Sequence, residues 1–325
     1  MAPTTFTPYI EPHTQRWLDE LAAATADGPP LYELSPADAR QVLRSVQSSV
    51  AVELFPAEID DRTIPGGPTG EVNIRIVKPA NGSGTLPIIF HSHGGGWILG
   101  DKDTHERLDR ELATFARAIV VFVDYTPAPD AHYPVQNEQA YTALQWAVAN
   151  AGEFGGDPTR VALVGDSVGG NMTAALTLMA KERGGPRLAA QVLLYPVTDA
   201  DLDTETYQRY ADGPWLTREA MRWFWDAYLP DERRRSEITA SPLQATLDQL
   251  RGLPPALIIN GEHDVLRAEG EAYARKLAQA GVSVTHVRYS STIHDFALLN
   301  PITTTPAPRA AIAQAADYLS AALAN

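Results

Sequence analysis

The chain reads as an α/β protein built on a mostly parallel central sheet with helices on both faces. Three observations predict this. From Leu86 onward, short β-branched runs alternate with helical stretches, the rhythm of a parallel sheet enclosed by two helical layers. The run VALVGDSVGGN (161–171) passes from a doubly buried strand through a tight turn into an Ala- and Leu-rich helix. The composition, 44% hydrophobic and 20% charged over 325 residues, is that of a globular chain with ample core.

Two amphipathic helices are expected first, over His13 to Thr25 and Ser35 to Ser48. Ser35-Pro36 supplies a capping hydroxyl and a proline suited to the first helical position. Val52 to Asp60 and Glu71 to Lys78 read as antiparallel strands divided by the turn-rich IPGGPTG. The alternating region then offers strands at PIIFHSH (87–93), AIVVFVDY (118–125), RVALVGD (160–166), AAQVLLYP (189–196), PALIING (255–261) and SVTHVRYS (283–290). Helices fall near 104–117, 136–151, 170–183, 268–280 and 308–323. Between Tyr195 and Pro255 about sixty residues hold no strand-like run but do contain WLTREAMRWFWDAYLP (215–230). A segment of that length is either a functional lid or a helix pair covering the sheet edge. The expected organisation is therefore residues 1–50 as the N-terminal helical part of a cap, 51–198 with 246–325 as the main domain, and 199–245 as an inserted helical cap segment.

Charge and composition narrow the function. A net charge of −14 argues against nucleic acid and anionic membrane partners, the strongest basic run being Arg233-Arg234-Arg235. The absence of cysteine excludes disulfides, thiolate chemistry and Cys-based metal sites. No secretory signal or membrane-length apolar run is visible, so a cytoplasmic protein acting on small molecules is expected, with room left for a homodimer.

The chemistry concentrates at four places. Gly165 to Gly169 spell G-x-S-x-G between strand and helix, the setting in which a serine is raised on a strained turn. HGGGW (93–97) follows another buried strand, and three glycines in a row there imply open amides or close approach. Asp264 lies just past the end of PALIING, where catalytic groups gather in open α/β sheets, with Glu262 and Glu269 as competitors. His294 follows the next strand. The order Ser167, Asp264, His294 suits a nucleophile, an orienting acid and a base. Metal readings are weaker: His91-x-His93 lacks a third ligand, and DADLD (199–203) lacks calcium-loop spacing. With no dinucleotide or phosphate-loop motif, no cofactor is expected.

HGGGW, VDYTPAPDAHYP, GDSVGG and the D-x-L-R segment before a late histidine resemble the hormone-sensitive-lipase-like family of bacterial carboxylesterases, from about residue 50 to the end. The resemblance implies an α/β-hydrolase fold with a helical cap and hydrolysis of small esters without a cofactor. It implies Ser167, Asp264 and His294 as the triad and the amides of Gly95, Gly96 and Val168 as the oxyanion hole. VDYTPAPDAHYP becomes scaffold, and His93 structural. Three positions depart from the family pattern: Val168 replaces alanine, Asp295 replaces the glycine after the histidine, and Ala268 replaces a second aspartate. Val168 is expected to narrow the acyl site and favour short-acyl esters, and Asp295 either perturbs His294 or faces solvent. Trp97, Trp215, Trp223 and Trp225 are expected to line the substrate pocket. An amidase of the arylformamidase kind, using the same triad, and a non-catalytic receptor on this fold are the alternatives.

Overall fold

The structure is a computed structural model describing residues 8–324; the first seven residues of the expected 1–50 cap segment, and Asn325, lie outside the described residues. Among the described residues, eight strands form one sheet: β1 (Ala57–Pro65), β2 (Glu71–Pro79), β3 (Leu86–Ser92), β4 (Ile119–Asp124), β5 (Gly156–Asp166), β6 (Gln191–Leu194), β7 (Ala256–His263) and β8 (Val284–Ile293). Their order is β1-β2-β4-β3-β5-β6-β7-β8, with β2 antiparallel to both neighbours and every pair from β4 to β8 parallel. The helices are α1 (Pro12–Ala24), α2 (Pro36–Ser48), α3 (Glu106–Ala116), α4 (Val135–Ala149), α5 (Ala151–Phe154), α6 (Val168–Arg183), α7 (Glu205–Arg209), α8 (Arg218–Tyr228), α9 (Leu247–Leu250), α10 (Arg267–Gln279) and α11 (Pro306–Leu323).

The buried parts of the central strands are where the apolar runs place them, because a strand covered on both faces has no solvent side to interrupt the run. β5 nonetheless starts at Gly156 rather than Arg160, through residues that are partly exposed. All seven residues of β3 are buried, as are Val161 to Asp166 of β5. The edge is different. The first strand begins at Ala57 rather than Val52 and runs on to Pro65. Pro56 cannot donate to a ladder, while the Gly66–Gly70 turn, closed by Gly66 N–H to Gly70 O at 2.8 Å, pairs Pro65 with Glu71. Ser35 caps α2 as expected, its side chain accepting from the Asp38 N–H.

The loop after β8 is fastened by buried polar side chains. Arg107 of α3 donates to the carbonyls of Ala297 and Leu298 at 2.7 Å each, to Asn300 Oδ1 at 2.7 Å and to Glu111 at 2.6 Å. Gln47 of α2 donates to Thr104 O and Leu298 O, and its side-chain oxygen accepts the Asn300 N–H. The segment carrying His294 is thus tied to two helices. Among the described residues, no helix is long and apolar enough to cross a membrane.

Removing Arg107 takes a donor from Ala297 O, Leu298 O and Asn300 Oδ1 and leaves buried Glu111 with Arg309 as its ion-pair partner. Arg107→Ala should cost about 3–5 kcal/mol, the range for breaking a buried pair. Arg44→Ala, removing a half-exposed partner of Asp101, should cost less than about 1 kcal/mol. Urea unfolding of the two variants checks the ranking, and equal losses would contradict it.

Candidate active site

Ser167 sits between β5 and α6 with φ 54 and ψ −121, a conformation that side chains rarely adopt. The turn closes because Gly165 and Gly169 lack side chains: a Cβ at 165 would strike the Gly169 carbonyl, and one at 169 the Ser92 carbonyl. The flanking glycines therefore serve the close packing of β3, β5 and α6, which presents the serine hydroxyl above the sheet.

Three side chains from three loops meet there. Ser167 Oγ lies 3.0 Å from His294 Nε2, and His294 Nδ1 lies 2.8 Å from Asp264 Oδ2. All three are buried. Asp264 is held in turn by the Leu266 N–H, which donates to its other oxygen at 2.9 Å. The competing acids are engaged elsewhere. Glu262 accepts the Ser291 N–H, and buried Glu269 accepts the N–H groups of Thr198 and Asp199.

Facing the serine, Gly95 and Gly96 hold φ values of 107 and 63, and neither N–H has an acceptor among the described residues. Val168 opens α6, so its N–H is one of that helix's unpaired first-turn donors. The three amides expected to form an oxyanion hole thus border the serine and remain available. His93 Nδ1 contacts the Gly94 carbonyl and the ring stacks on Tyr125 at 4.1 Å, a packing role rather than a ligand's. Burial, reinforced by nearby His105, pushes the His93 pKa down to about 3.

Asp295 does not point away from the site. Its Oδ2 accepts the Trp215 indole N–H at 3.0 Å, while Oδ1 lies 3.2 Å from His294 Nε2 without hydrogen-bond alignment. Burial alone would lower the His294 pKa, but Asp264 and then Asp295 outweigh it and raise it to about 9. Asp295 is itself raised above the ordinary aspartate value, chiefly by burial.

A cavity of about 220 Å³ opens over Ser167, Gly95, Gly96, His294 and Asp295. Its walls are mainly apolar: Leu31, Tyr32, Val42 and Leu43 from the N-terminal segment, Trp215 to Thr217, Ala220, Met221 and Phe224 around α8, and Leu99 and Leu298. Of the four tryptophans expected here, only Trp215 lines it. Trp97 is fully buried, stacked on Tyr228 at 3.9 Å and packed against Trp225 at 4.9 Å. Trp223 lies off the cavity face, against Phe224. The helical period explains the sorting: Thr217, Ala220, Met221 and Phe224 share one stripe, while Trp225 and Tyr228 share the next. Val168 also departs from expectation. Its side chain is fully buried and absent from the cavity wall, so it does not narrow the site. Leu31, Tyr32, Val42 and Leu43 are additions to the expected pocket; the amphipathic pattern of α2 signals Val42 and Leu43, and no sequence pattern signals Leu31 and Tyr32.

Residues 89–298 match a protein family described as the alpha/beta hydrolase fold. A carboxylesterase of Mycobacterium tuberculosis is 38% identical over 309 residues, covering 92% of this chain and 93% of its own. A carboxylic ester hydrolase of the same organism is 38% identical over 263 residues, covering 79% of this chain and 69% of its own. Among solved structures, a thermostable esterase from Pseudomonas putida superposes with a TM-score of 0.95 at 50% identity, covering 98% of this chain and 99% of its own. The chain belongs to the α/β-hydrolase family. Within it, the chain falls among the hormone-sensitive-lipase-like carboxylesterases, as HGGGW and GDSVGG imply.

Two carboxylates beside one imidazole make a testable electrostatic statement. Followed through its ring nitrogens by NMR, His294 should stay protonated through neutral pH and lose its proton near pH 9. Asp295→Asn removes one of the two anions that favour the charged ring, so the titration should move to lower pH. An unchanged midpoint would show that the imidazole does not feel Asp295.

Proposed function

We propose that this ester hydrolase is a serine carboxylesterase for short-acyl esters, about acetyl to hexanoyl, with an uncharged apolar or aromatic alcohol part. The reading rests on one observation: the unbroken line Ser167 Oγ, His294 Nε2, His294 Nδ1, Asp264 Oδ2, ending inside an apolar cavity. His294 takes the Ser167 proton as Oγ attacks the ester carbonyl, and Asp264 holds the ring tautomer and offsets the charge it gains. The carbonyl oxygen, now negative, faces the amides of Gly95, Gly96 and Val168. The tetrahedral species collapses, His294 returns the proton to the departing alcohol, and a water repeats the sequence on the acyl-enzyme. No step needs a cofactor.

Because the attacking base must be neutral, the raised His294 pKa predicts a rate that climbs with pH through the alkaline range. Substrate size is read from the cavity. Phe224 packs directly on Gly96, and with Met221 it closes the space beside the oxyanion amides. A methylene that fits a pocket is worth about 1–3 kcal/mol, so preference falls steeply once that space is full. Among the described residues, Asp295 is the cavity's only side chain with a carboxylate, and neither Lys nor Arg lines it, which disfavours anionic substrates.

Ser167→Ala should lower turnover by about 10⁶-fold with the fold retained, and Asp264→Asn by about 10⁴-fold. Glu262→Gln should leave the chemical step intact. Near wild-type turnover in a folded Ser167→Ala protein would refute the assignment. Across p-nitrophenyl esters, kcat/KM should peak at six carbons or fewer in the wild type. Phe224→Ala should move the peak to longer chains and Val168→Ala should not. A wild-type optimum at dodecanoyl would overturn the short-acyl reading, and parallel p-nitroanilides show whether amides are cleaved.

A further inference from the structure

Asp166, the residue just before the serine, is used by no step above. We propose that Asp166 is a positioning residue whose carboxylate anchors the Gly94 amide and so fixes the Gly95 and Gly96 donors where the oxyanion forms. The proposal rests on the serine carboxylesterase reading of the site.

Asp166 is fully buried at the end of β5. Its Oδ1 accepts the Gly94 N–H at 3.1 Å and lies 3.1 Å from His91 Nε2, while Oδ2 lies 3.3 Å from His105 Nε2. The histidines are anchored in their turn. His91 Nδ1 lies 2.5 Å from Asp109 Oδ1 in α3, and His105 Nδ1 lies 2.9 Å from Thr104 Oγ1. The carboxylate therefore cannot swing, and the loop comes so close that a Cβ on Gly94 would collide with it. On its other side the Gly94 carbonyl is met by His93 Nδ1, and the His93 carbonyl accepts the Tyr125 hydroxyl at 3.0 Å. The chain is pinned immediately before the two glycines that carry free amides.

Such an anchor matters because three successive glycines have more backbone freedom than any other tripeptide. An oxyanion donor contributes fully only when held about 2.7–3.1 Å from the oxygen that becomes charged. A carboxylate next to the nucleophile also carries a liability, since its charge opposes a developing oxyanion. The surroundings answer it. Burial alone would lower the His91 pKa, but Asp109 and Asp166 raise it to about 9, so His91 places a positive charge between the two acids. Burial would likewise raise Asp166, yet His105 and His91 hold it well below the usual carboxylate range. The anion is available to grip Gly94 while its field is largely offset.

The test uses the full-length protein as wild type, Asp166→Ala and Asp166→Asn, with active sites counted by phosphonate labelling of Ser167. Two readouts separate positioning from a general structural role: kcat and KM for p-nitrophenyl acetate, and the Ki of an alkyl trifluoromethyl ketone, which forms a tetrahedral adduct needing the oxyanion amides. Asp166→Ala should lower kcat/KM by about 100-fold or more per active site, and the ketone Ki should weaken in parallel. KM should stay within about threefold, because ground-state contacts are untouched. Asp166→Asn keeps an oxygen for the Gly94 N–H but loses its charge grip on the histidines, so it should fall between. If the alanine variant does not fold, the asparagine variant decides the matter: its ketone Ki should rise by at least about fivefold, matching its loss in kcat/KM. A ketone Ki unchanged in a labelled variant, or KM and Ki weakening equally, overturns the positioning role alone. A wild-type protein that takes up no phosphonate would instead refute the serine reading beneath it.

Discussion

Everything in the site depends on one strained residue. Ser167 holds a positive φ that a residue with a Cβ resists, at a cost of about 1–3 kcal/mol. It is kept there by neighbours that over-determine it. Its N–H donates to Leu194 O at 2.8 Å, and its carbonyl accepts from Val197 and Asn171. Those partners stand on β6, the loop after it, and α6, so the buried parallel sheet holds the turn closed. The same compression brings the end of β3 against α6. That is why the glycine loop after β3 faces the serine rather than solvent.

On the proposed mechanism, the base His294 sits in an electrostatic conflict that the chemistry resolves. A resting His294 must be neutral to accept a proton, yet Asp264 and Asp295 both favour its charged form. The conflict raises the pH at which the enzyme is ready. On the same mechanism, the imidazolium formed during attack arises in a field already arranged for it, and stabilisation that grows along the reaction path is what lowers a barrier. Asp295 joins this to the segment before α8 and to the N-terminal helix. Its second oxygen is held by Trp215, whose ring packs against Trp17 of α1 at 5.3 Å. The N-terminal helix, the segment before α8 and the histidine loop therefore share one contact chain.

How far the sequence discloses this depends on how many faces of each element are buried. β3, β5 and β7 are legible because a strand covered on both sides must be apolar throughout. The start of β1 is displaced by several residues because an edge strand keeps one face wet and its limits are set by Pro56 and a glycine turn. The proposed triad of Ser167, Asp264 and His294 has a sequence signal because such residues need fixed places at strand ends and in turns. The pocket is not, because aromatic content says nothing about facing. Chemical type alone assigns Trp97 and Trp225 to the pocket, and both are packing, whereas the stripe through Thr217, Met221 and Phe224 follows from helical period alone. Val168 diverges for a related reason: its amide borders Ser167 while its side chain points into the core. The direction of Asp295 stays open in the sequence because it occupies a left-handed position, φ 60, which no local pattern specifies.

α8 combines two duties that are usually separate. One stripe presents Met221 and Phe224 to the cavity, with the Phe224 ring resting on Gly96. The adjacent stripe places Trp225 and Tyr228 against Trp97, the residue that ends the glycine loop. The loop is thus gripped beyond its glycines by rings from α8 and before them by the Gly94 amide bond to Asp166. Glycines give the amides the freedom to turn inward, and the two clamps remove it again. A rigid loop with small side chains lets a carbonyl oxygen approach closely, and a large ring beside it limits what else can enter. On the proposed mechanism, α8 therefore contributes both to shape selection and, together with Asp166, to alignment of the donors. If that mechanism holds, a change on its cavity stripe should alter which ester fits, whereas a change on its clamp stripe should alter how well any ester is activated.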